Sequence, residues 1–196
     1  MTIIHMYSTP VYTDNFICSP DIEKVCTDEY EYTSGSPKIS VRKNIISDKA
    51  LEEVKNIIKN NFIIYLKKLS IKNNFKFTQS WITMNDKGDM HGFHRHWNTF
   101  FSCVYYVYSE GNSLIFRNPN FIEANTNYEL NFETQNLLNG STVIVPVKTG
   151  DIVIFPGWLN HCSSINQSEK TKIMIGVNFY LTNSIGEENK LNYTEL

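Results

Sequence analysis

Residues 88–108 read GDMHGFHRHWNTFFSCVYYVY. Three of the chain's five histidines, His91, His94 and His96, fall in the first half of this stretch. Its second half, FFSCVYYVY, is a strand-like run of aromatic, β-branched and small residues. On an extended segment, side chains at i and i+2 point the same way, so His94 and His96 can converge on one ion while Arg95 points elsewhere. His91, three residues from His94, does not share that face on a strand and reads as a loop histidine that supports the others. His5 reads as structural or exposed. An H-x-H pair is weak evidence for a metal on its own, because paired histidines also occur as surface or hydrogen-bonded groups.

Further strand-like runs surround this one. FKFTQSWITM (75–84), SLIFR (113–117), TVIVPV (142–147), DIVIFP (151–156) and KIMIGVNFYL (172–181) are separated by turn residues such as NDKGD, SEGN, RNPN and TGD. One helix is expected, over about 48–69, with Ser47 as its cap and Asp48 in the first turn. Leu51, Val54, Ile58, Phe62, Tyr65 and Leu69 recur there at steps of three and four. A helix followed by six short strands predicts a mainly β fold with helical support, a helix-backed β-sandwich or jelly roll. A single domain over 1–196 is expected: an irregular arm (1–46) with one or two strands, among them TIIHMY and KISVRK, a supporting helix (47–70), a jelly-roll core (71–182) and a polar tail (183–196). The polar stretch 118–141 reads as a long loop or a loop with a weak strand, of the kind that forms lids.

With 41% hydrophobic residues, 19% charged residues and net charge −2, the composition is that of an ordinary globular protein and carries no electrostatic footprint for nucleic acid. No signal-peptide pattern and no bilayer-length apolar run is visible, so a cytoplasmic location is the default, in the host cytoplasm if the chain is viral. Cys18, Cys26, Cys103 and Cys162 lack disulfide-framework spacing and read as reduced thiols. Richness in Ile, Asn and Lys points to an AT-rich coding genome, of the kind phages and streamlined bacteria carry.

A fourth histidine, His161, closes the run TGDIVIFPGWLNH (149–161). Two neighbouring histidines and a distant one on a late strand are the means by which a jelly roll builds a three-ligand face on an octahedral metal, with positions left open. A structural zinc site would use four closed ligands, usually including thiolates. Cys162 is expected on the opposite strand face, as a core thiol.

These residues carry a resemblance. GDMHGFHRHWNTFFSCVYYVYSEGNSLIFRNP, followed by TGDIVIFPGWLNHCSSINQSEKTKIMIGVNF, resembles the iron(II)- and 2-oxoglutarate-dependent oxygenase superfamily, and within it a bacterial and phage branch with H-x-H and F-P-x-W-L-x-H motifs. The opening MYSTPVY is similar too, so the likeness runs from about residue 6 to 180. It implies a double-stranded β-helix with His94 and His161 as iron ligands. His96 then stands where most of the superfamily has Asp. Three readings follow: a three-histidine site of His94, His96 and His161, a carboxylate supplied by Asp89 or Asp86, or a site that binds metal poorly. The first is favoured, since the narrower branch shares H-x-H, and Asp89 otherwise reads as the turn acid of NDKGD.

The resemblance further implies a basic residue for the far carboxylate of 2-oxoglutarate. Lys172 matches that place, where relatives carry Arg, with Lys170 as runner-up. Alternation supports Lys172 independently: Ile173, Ile175, Val177 and Phe179 form one apolar face for the helix, and Lys172, Met174, Gly176 and Asn178 share the other. Lysine lacks the bidentate fork of Arg, and Met174 stands where a small hydroxyl residue would add a hydrogen bond. Tyr105 and Tyr106 alternate faces, and the resemblance selects Tyr106 for the cosubstrate. Asn98 and Ser102 share its parity and are expected to line the same pocket. Trp81 and Trp158 read as core aromatics.

The implied function is a dioxygenase using Fe(2+), 2-oxoglutarate and O2 to hydroxylate a substrate with release of succinate and CO2. Two alternatives stand beside it: a cupin-like three-histidine dioxygenase without 2-oxoglutarate, and a non-catalytic jelly-roll binding or virion-associated module. No nucleic acid or membrane partner is indicated. The substrate, a protein side chain or a small molecule, and the oligomeric state are left open.

Overall fold

A computed structural model describes residues 8–25, 29–32, 37–121 and 129–196. The segment TIIHMY, His5 and Cys26 lie outside the described residues, as does the centre of the expected lid, 122–128. In chain order the elements are β1 (Tyr12–Asn15), the one-turn helix α1 (Ile22–Val25), β2 (Tyr30–Tyr32), β3 (Lys38–Ser40) and the long helix α2 (Glu52–Lys68). Then come β4 (Phe75–Asn85), β5 (Phe101–Tyr108), β6 (Asn112–Arg117), β7 (Thr142–Val147), β8 (Asp151–Pro156), β9 (His161–Ser163) and β10 (Lys172–Leu181), with β11 (Ser184–Ile185) and β12 (Thr194–Glu195) at the end.

Apart from the short β11–β12 pair, the strands make two antiparallel sheets. The major one runs β1-β8-β5-β10-β4-β3-β2, and the minor one β7-β6-β9. Between them lie Tyr106, Val153, Phe155 and Met174 of the major sheet against Leu114, Phe116 and Val147 of the minor one. On the other side of the major sheet, α2 lays Val54, Ile58, Phe62 and Tyr65 on Ile175, Val177 and Phe179. Phe62 stacks on Phe179 with ring centroids 3.8 Å apart. Covered on both faces, β10 is buried almost throughout, which is why KIMIGVNFYL reads as a nearly continuous apolar run. Burial of each such side chain stabilises the fold by about 1.5–3 kcal/mol. The architecture is the helix-backed jelly roll that the sequence predicts.

Four details differ from expectation. The helix starts at Glu52, preceded by 3-10 turns at Ile45–Ser47 and Lys49–Leu51 that sink Ile45, Ile46 and Leu51 into the core. Asp48 rather than Ser47 caps: its carboxylate accepts the Ala50 N–H (3.0 Å), while Ser47 Oγ donates back to the Asn44 carbonyl (2.7 Å). The polar tail carries a strand pair, β11 with β12, that the sequence does not announce. Trp158 is 52% exposed instead of buried, because the turn after Pro156 brings Leu159 into the core in its place. No strand occurs among the described residues of 118–141. Among the described residues no helix is long and apolar enough to cross a membrane.

Candidate metal centre

The inner face of the major sheet is set by register. Trp81, Thr83 and Asn85 of β4 lie opposite Gly176, Met174 and Lys172 of β10, while Ser102, Val104 and Tyr106 of β5 lie opposite Asn178, Gly176 and Met174. Gly176 permits the close approach of Trp81: a Cβ there would stand 2.5 Å from Trp81 Cε2. The β10–β4 register shifts between Val177 and Phe179, where Thr78 and Gln79 of β4 stand against Asn178 alone, so the bulge is on β4, and Asn178 keeps its regular place opposite Ser102 with its amide at His96.

His94 and His96 sit in the extended segment ahead of β5, and His161 begins β9. The backbones of His94 and His161 form a reciprocal pair, each N–H donating to the other's carbonyl at 2.9 Å. His96 N–H donates to the Gly157 carbonyl at 3.0 Å. The ligand nitrogens of His94, His96 and His161 lie within 4.8 Å of one another.

Hydrogen bonds fix the tautomer of each ring. His94 Nδ1–H donates to the Gly92 carbonyl (2.8 Å) and His161 Nδ1–H to the Leu159 carbonyl (2.8 Å). His96 Nδ1–H faces Asn178 Oδ1 (2.9 Å) and Ser102 Oγ (2.6 Å), and the Ser102 hydroxyl itself donates to Asn178 Oδ1 (2.8 Å). A carbonyl only accepts, so Nδ1 carries the proton and Nε2 keeps its lone pair. Three Nε2 lone pairs are thus oriented before any ion arrives. Burial lowers the pKa of all three rings, that of His96 to about 4, so they are neutral at pH 7, the form that binds metal.

No carboxylate joins the cluster among the described residues. Asp86 accepts from Lys38 Nζ (2.8 Å) and Thr171 Oγ1 (2.6 Å). Asp89 is a turn acid that accepts the Asp86 N–H (2.9 Å). His91 is nearer than its spacing suggests: its ring stacks on His94 with centroids 4.0 Å apart at 19°, and it lines the same cavity. Ser163 exchanges two bonds with the His91 backbone and brings it there. Cys162 is buried.

Two recesses meet at this cluster and share Trp81 and His96. The inner one is a narrow cavity of about 40 Å³ walled by Thr83, Tyr106, Leu114 and Met174. The outer one is an open cleft of about 570 Å³ lined by Gln79, Arg95, Trp97, Asn98 and Asn178. Trp97 is 70% exposed and carries the Arg95 guanidinium 4.0 Å above its ring.

The structure distributes the expected cosubstrate residues differently from one another. Tyr106 is buried in the inner cavity, and burial raises its pKa, keeping the phenol neutral. Lys172 is 1% exposed, and its Nζ has no hydrogen-bond partner among the described residues. Burial lowers its pKa to about 8. Lys170 is exposed, with Nζ 5.4 Å from the centroid of the Tyr108 ring. Ser102 spends its hydroxyl on His96 and Asn178, so it orients the His96 ring. Asn98, in the left-handed region at φ 54°, breaks the alternation and lies on the outer cleft, away from Tyr106.

The donor set fits a divalent transition metal, since neutral imidazoles suit iron and its neighbours and three of them leave coordination positions open. The unpaired buried ammonium fits an anionic ligand beside it.

Comparison with known proteins bears on both groups. Residues 79–178, more than half of the chain, match the family described as "Putative 2OG-Fe(II) oxygenase". Among solved structures, the chain is similar to the non-heme alpha ketoglutarate dependent carbocyclase SnoK from nogalamycin biosynthesis, at 13% identity and TM-score 0.61, over 90% of this chain and 81% of that one. A Pseudomonas putida prolyl-4-hydroxylase is similar at 10% identity and TM-score 0.57, over 88% and 92% of the two chains. An oxidoreductase of the 2OG-Fe(II) oxygenase family from Burkholderia pseudomallei is similar at 8% identity and TM-score 0.57, over 81% and 75%. At these identities the likeness speaks for the fold. No curated protein sequence matches.

Proposed function

Because the chain belongs to the 2OG-Fe(II) oxygenase family, whose members use Fe(II), 2-oxoglutarate and O2, we propose that it is an oxygenase hydroxylating an organic substrate with release of succinate and CO2. In this reading His94, His96 and His161 hold the iron and Lys172 holds the far carboxylate of 2-oxoglutarate. The observation that carries it is the presence, between the two sheets, of two things: three histidines with Nε2 free, and a buried ammonium with no partner among the described residues.

Bound there, the iron would let 2-oxoglutarate and O2 react so that the oxo acid loses CO2 and becomes succinate while one oxygen atom enters a substrate C–H bond. The chain's residues do the rest. Ser102 and Asn178 hold the His96 ring, the Gly92 and Leu159 carbonyls hold the other two, and His91 stacks against His94 to limit its rotation. Phe155, fully buried with its ring 4.6 Å from that of His161, and Leu114 and Met174 keep water from the inner cavity. Met174 is unbranched and flexible, which suits a narrow cavity that must widen around a five-carbon ligand. Three neutral imidazoles leave both charges of Fe(II) uncompensated, so the dianionic cosubstrate meets a more positive site than two histidines and a carboxylate would present.

The outer cleft supports a substrate approach past Trp81 and His96. Its volume falls in the range of about 300–1,000 Å³ usual for ligand pockets, which suits a small molecule or a single protein side chain.

The test is calorimetric titration of 2-oxoglutarate into the Fe(II)-loaded protein without oxygen. Saturable binding is expected for the wild type, with loss of metal and cosubstrate binding in His161→Ala. Absence of 2-oxoglutarate binding to the metal-loaded wild type contradicts the reading.

A further inference from the structure

Lys172 is not the only group left unpaired at its end of the inner face. Asn85 is 0% exposed, and neither its amide nitrogen nor its amide oxygen has a hydrogen-bond partner among the described residues. Asn112 Oδ1 is buried and unpaired as well. Lys172 and Asn85 are direct register partners on β10 and β4, one step beyond the cavity-lining pair Met174 and Thr83 on the same face of the sheet. Asn112 alternates with Leu114 and Phe116 of β6, which face the space between the sheets. Asn166 ties the two asparagines together: its Oδ1 accepts from Asn112 Nδ2 (3.4 Å), and its Nδ2 donates to the Asn85 carbonyl (2.9 Å).

A buried amide with both ends unsatisfied is costly, and native folds rarely retain one without a use. The other inner-face residues have such uses: Asn178 and Ser102 serve His96, and Gly176 makes room for Trp81. Met174, one step along the same face, offers no hydrogen bond to a carboxylate.

We propose that Asn85 is a 2-oxoglutarate-binding residue: its side-chain amide donates to the far carboxylate beside Lys172. The inference rests on the function proposed above and adds a residue to it. A carboxylate only accepts, so it draws on the Asn85 N–H and one N–H of the ammonium. One bound carboxylate therefore gives the Lys172 ammonium and the Asn85 N–H the acceptor that both lack. The planar amide on β4 supplies what Met174 on β10 lacks, and a point-charge lysine gains directional help that an arginine fork would not need.

Two variants test this through binding alone. In Asn85→Leu, the affinity of the metal-loaded protein for 2-oxoglutarate falls about tenfold to a hundredfold, the usual range for a lost hydrogen bond to a charged group. The affinity for the metal itself stays at the wild-type value. In Asn85→Asp, the new carboxylate pairs with Lys172 in place of the ligand, so 2-oxoglutarate binding is lost and the ligand-free protein melts at a higher temperature. Wild-type affinity for 2-oxoglutarate in either variant overturns the proposal, and so does parallel loss of metal and cosubstrate, which would mark Asn85 as a structural residue only. Failure of the wild type to bind 2-oxoglutarate is a different result, and removes the proposed function together with this inference.

Discussion

The two ends of the inner face differ in how completely their polar groups are paired. At the histidine end, every imidazole Nδ1 has an acceptor, Ser102 and Asn178 bond to each other as well as to His96, and the His94 and His161 backbones clamp one another. At the lysine end, Lys172 Nζ, the Asn85 amide and Asn112 Oδ1 have no partners among the described residues. His161, Ser102 and Asn178 are buried at the first end, where His94 and His96 are half-buried, and Lys172, Asn85 and Asn112 are buried at the second, so pairing matters at both. At the first end the protein pairs its own polar groups. At the second, in the function proposed above, the carboxylate of the cosubstrate supplies the acceptor that the protein does not.

That contrast predicts effects of different kind at the two ends. Ser102→Ala, at the histidine end, breaks a satisfied network. Metal affinity is expected to fall about tenfold to a hundredfold, the usual cost of removing a group that orients a metal ligand. At saturating metal, 2-oxoglutarate affinity is expected to stay as it was, and equilibrium dialysis followed by calorimetry separates the two. Loss of 2-oxoglutarate affinity at saturating metal would show that Ser102 touches the cosubstrate and would blur the division between the ends.

A smaller effect belongs to pH. The pKa of Lys172 is lowered by burial from 10.5 to about 8, and its charged form is the one that holds a carboxylate. Affinity for 2-oxoglutarate is therefore expected to be level below about pH 7 and to weaken as pH rises past about 8, by up to about tenfold per unit. Stability runs the other way. A lysine with a lowered folded-state pKa disfavours its own protonation on folding, so the ligand-free protein gains stability between about pH 8 and 10.5, and below that range the penalty is fully present. Calorimetry across pH, with Lys172→Met as the flat control, reads the first trend, and urea unfolding reads the second.

Much of this was legible in the sequence where side-chain alternation holds. Each of the six strand runs appears within a residue or so of its expected limits, because turn residues mark their ends and the apolar faces repeat with period two. The same parity argument puts Lys172 on the inner face and Ile175, Val177 and Phe179 under the helix, and the i, i+2 spacing brings His94 and His96 together. Parity names a face and not a partner, which is why Ser102 was expected at the cosubstrate and is found holding His96. It fails where the backbone leaves the extended region. Asn98 at positive φ, Trp158 in the turn after Pro156, and His91 in a loop drawn in by Ser163 all lie where alternation says nothing. Asn85 and Asn112 are hidden in the sequence for another reason: an asparagine at the end of a strand run looks like the turn residue that bounds it. Only the burial of its amide without a partner distinguishes the two.

If the lysine end is held open for an anion, removing its charge stabilises the fold and abolishes the response to 2-oxoglutarate. The unfolding free energies of the metal-loaded wild type and of Lys172→Met are compared in urea, without oxygen, with and without 2-oxoglutarate. Without the cosubstrate, Lys172→Met is expected to be the more stable protein by about 1–3 kcal/mol, since an unpaired buried charge has been replaced by an apolar side chain. At a hundred times its dissociation constant, 2-oxoglutarate stabilises the wild type by about 2.7 kcal/mol and leaves the variant unchanged. A variant that is less stable than the wild type without 2-oxoglutarate, or one that 2-oxoglutarate stabilises equally, would contradict the account.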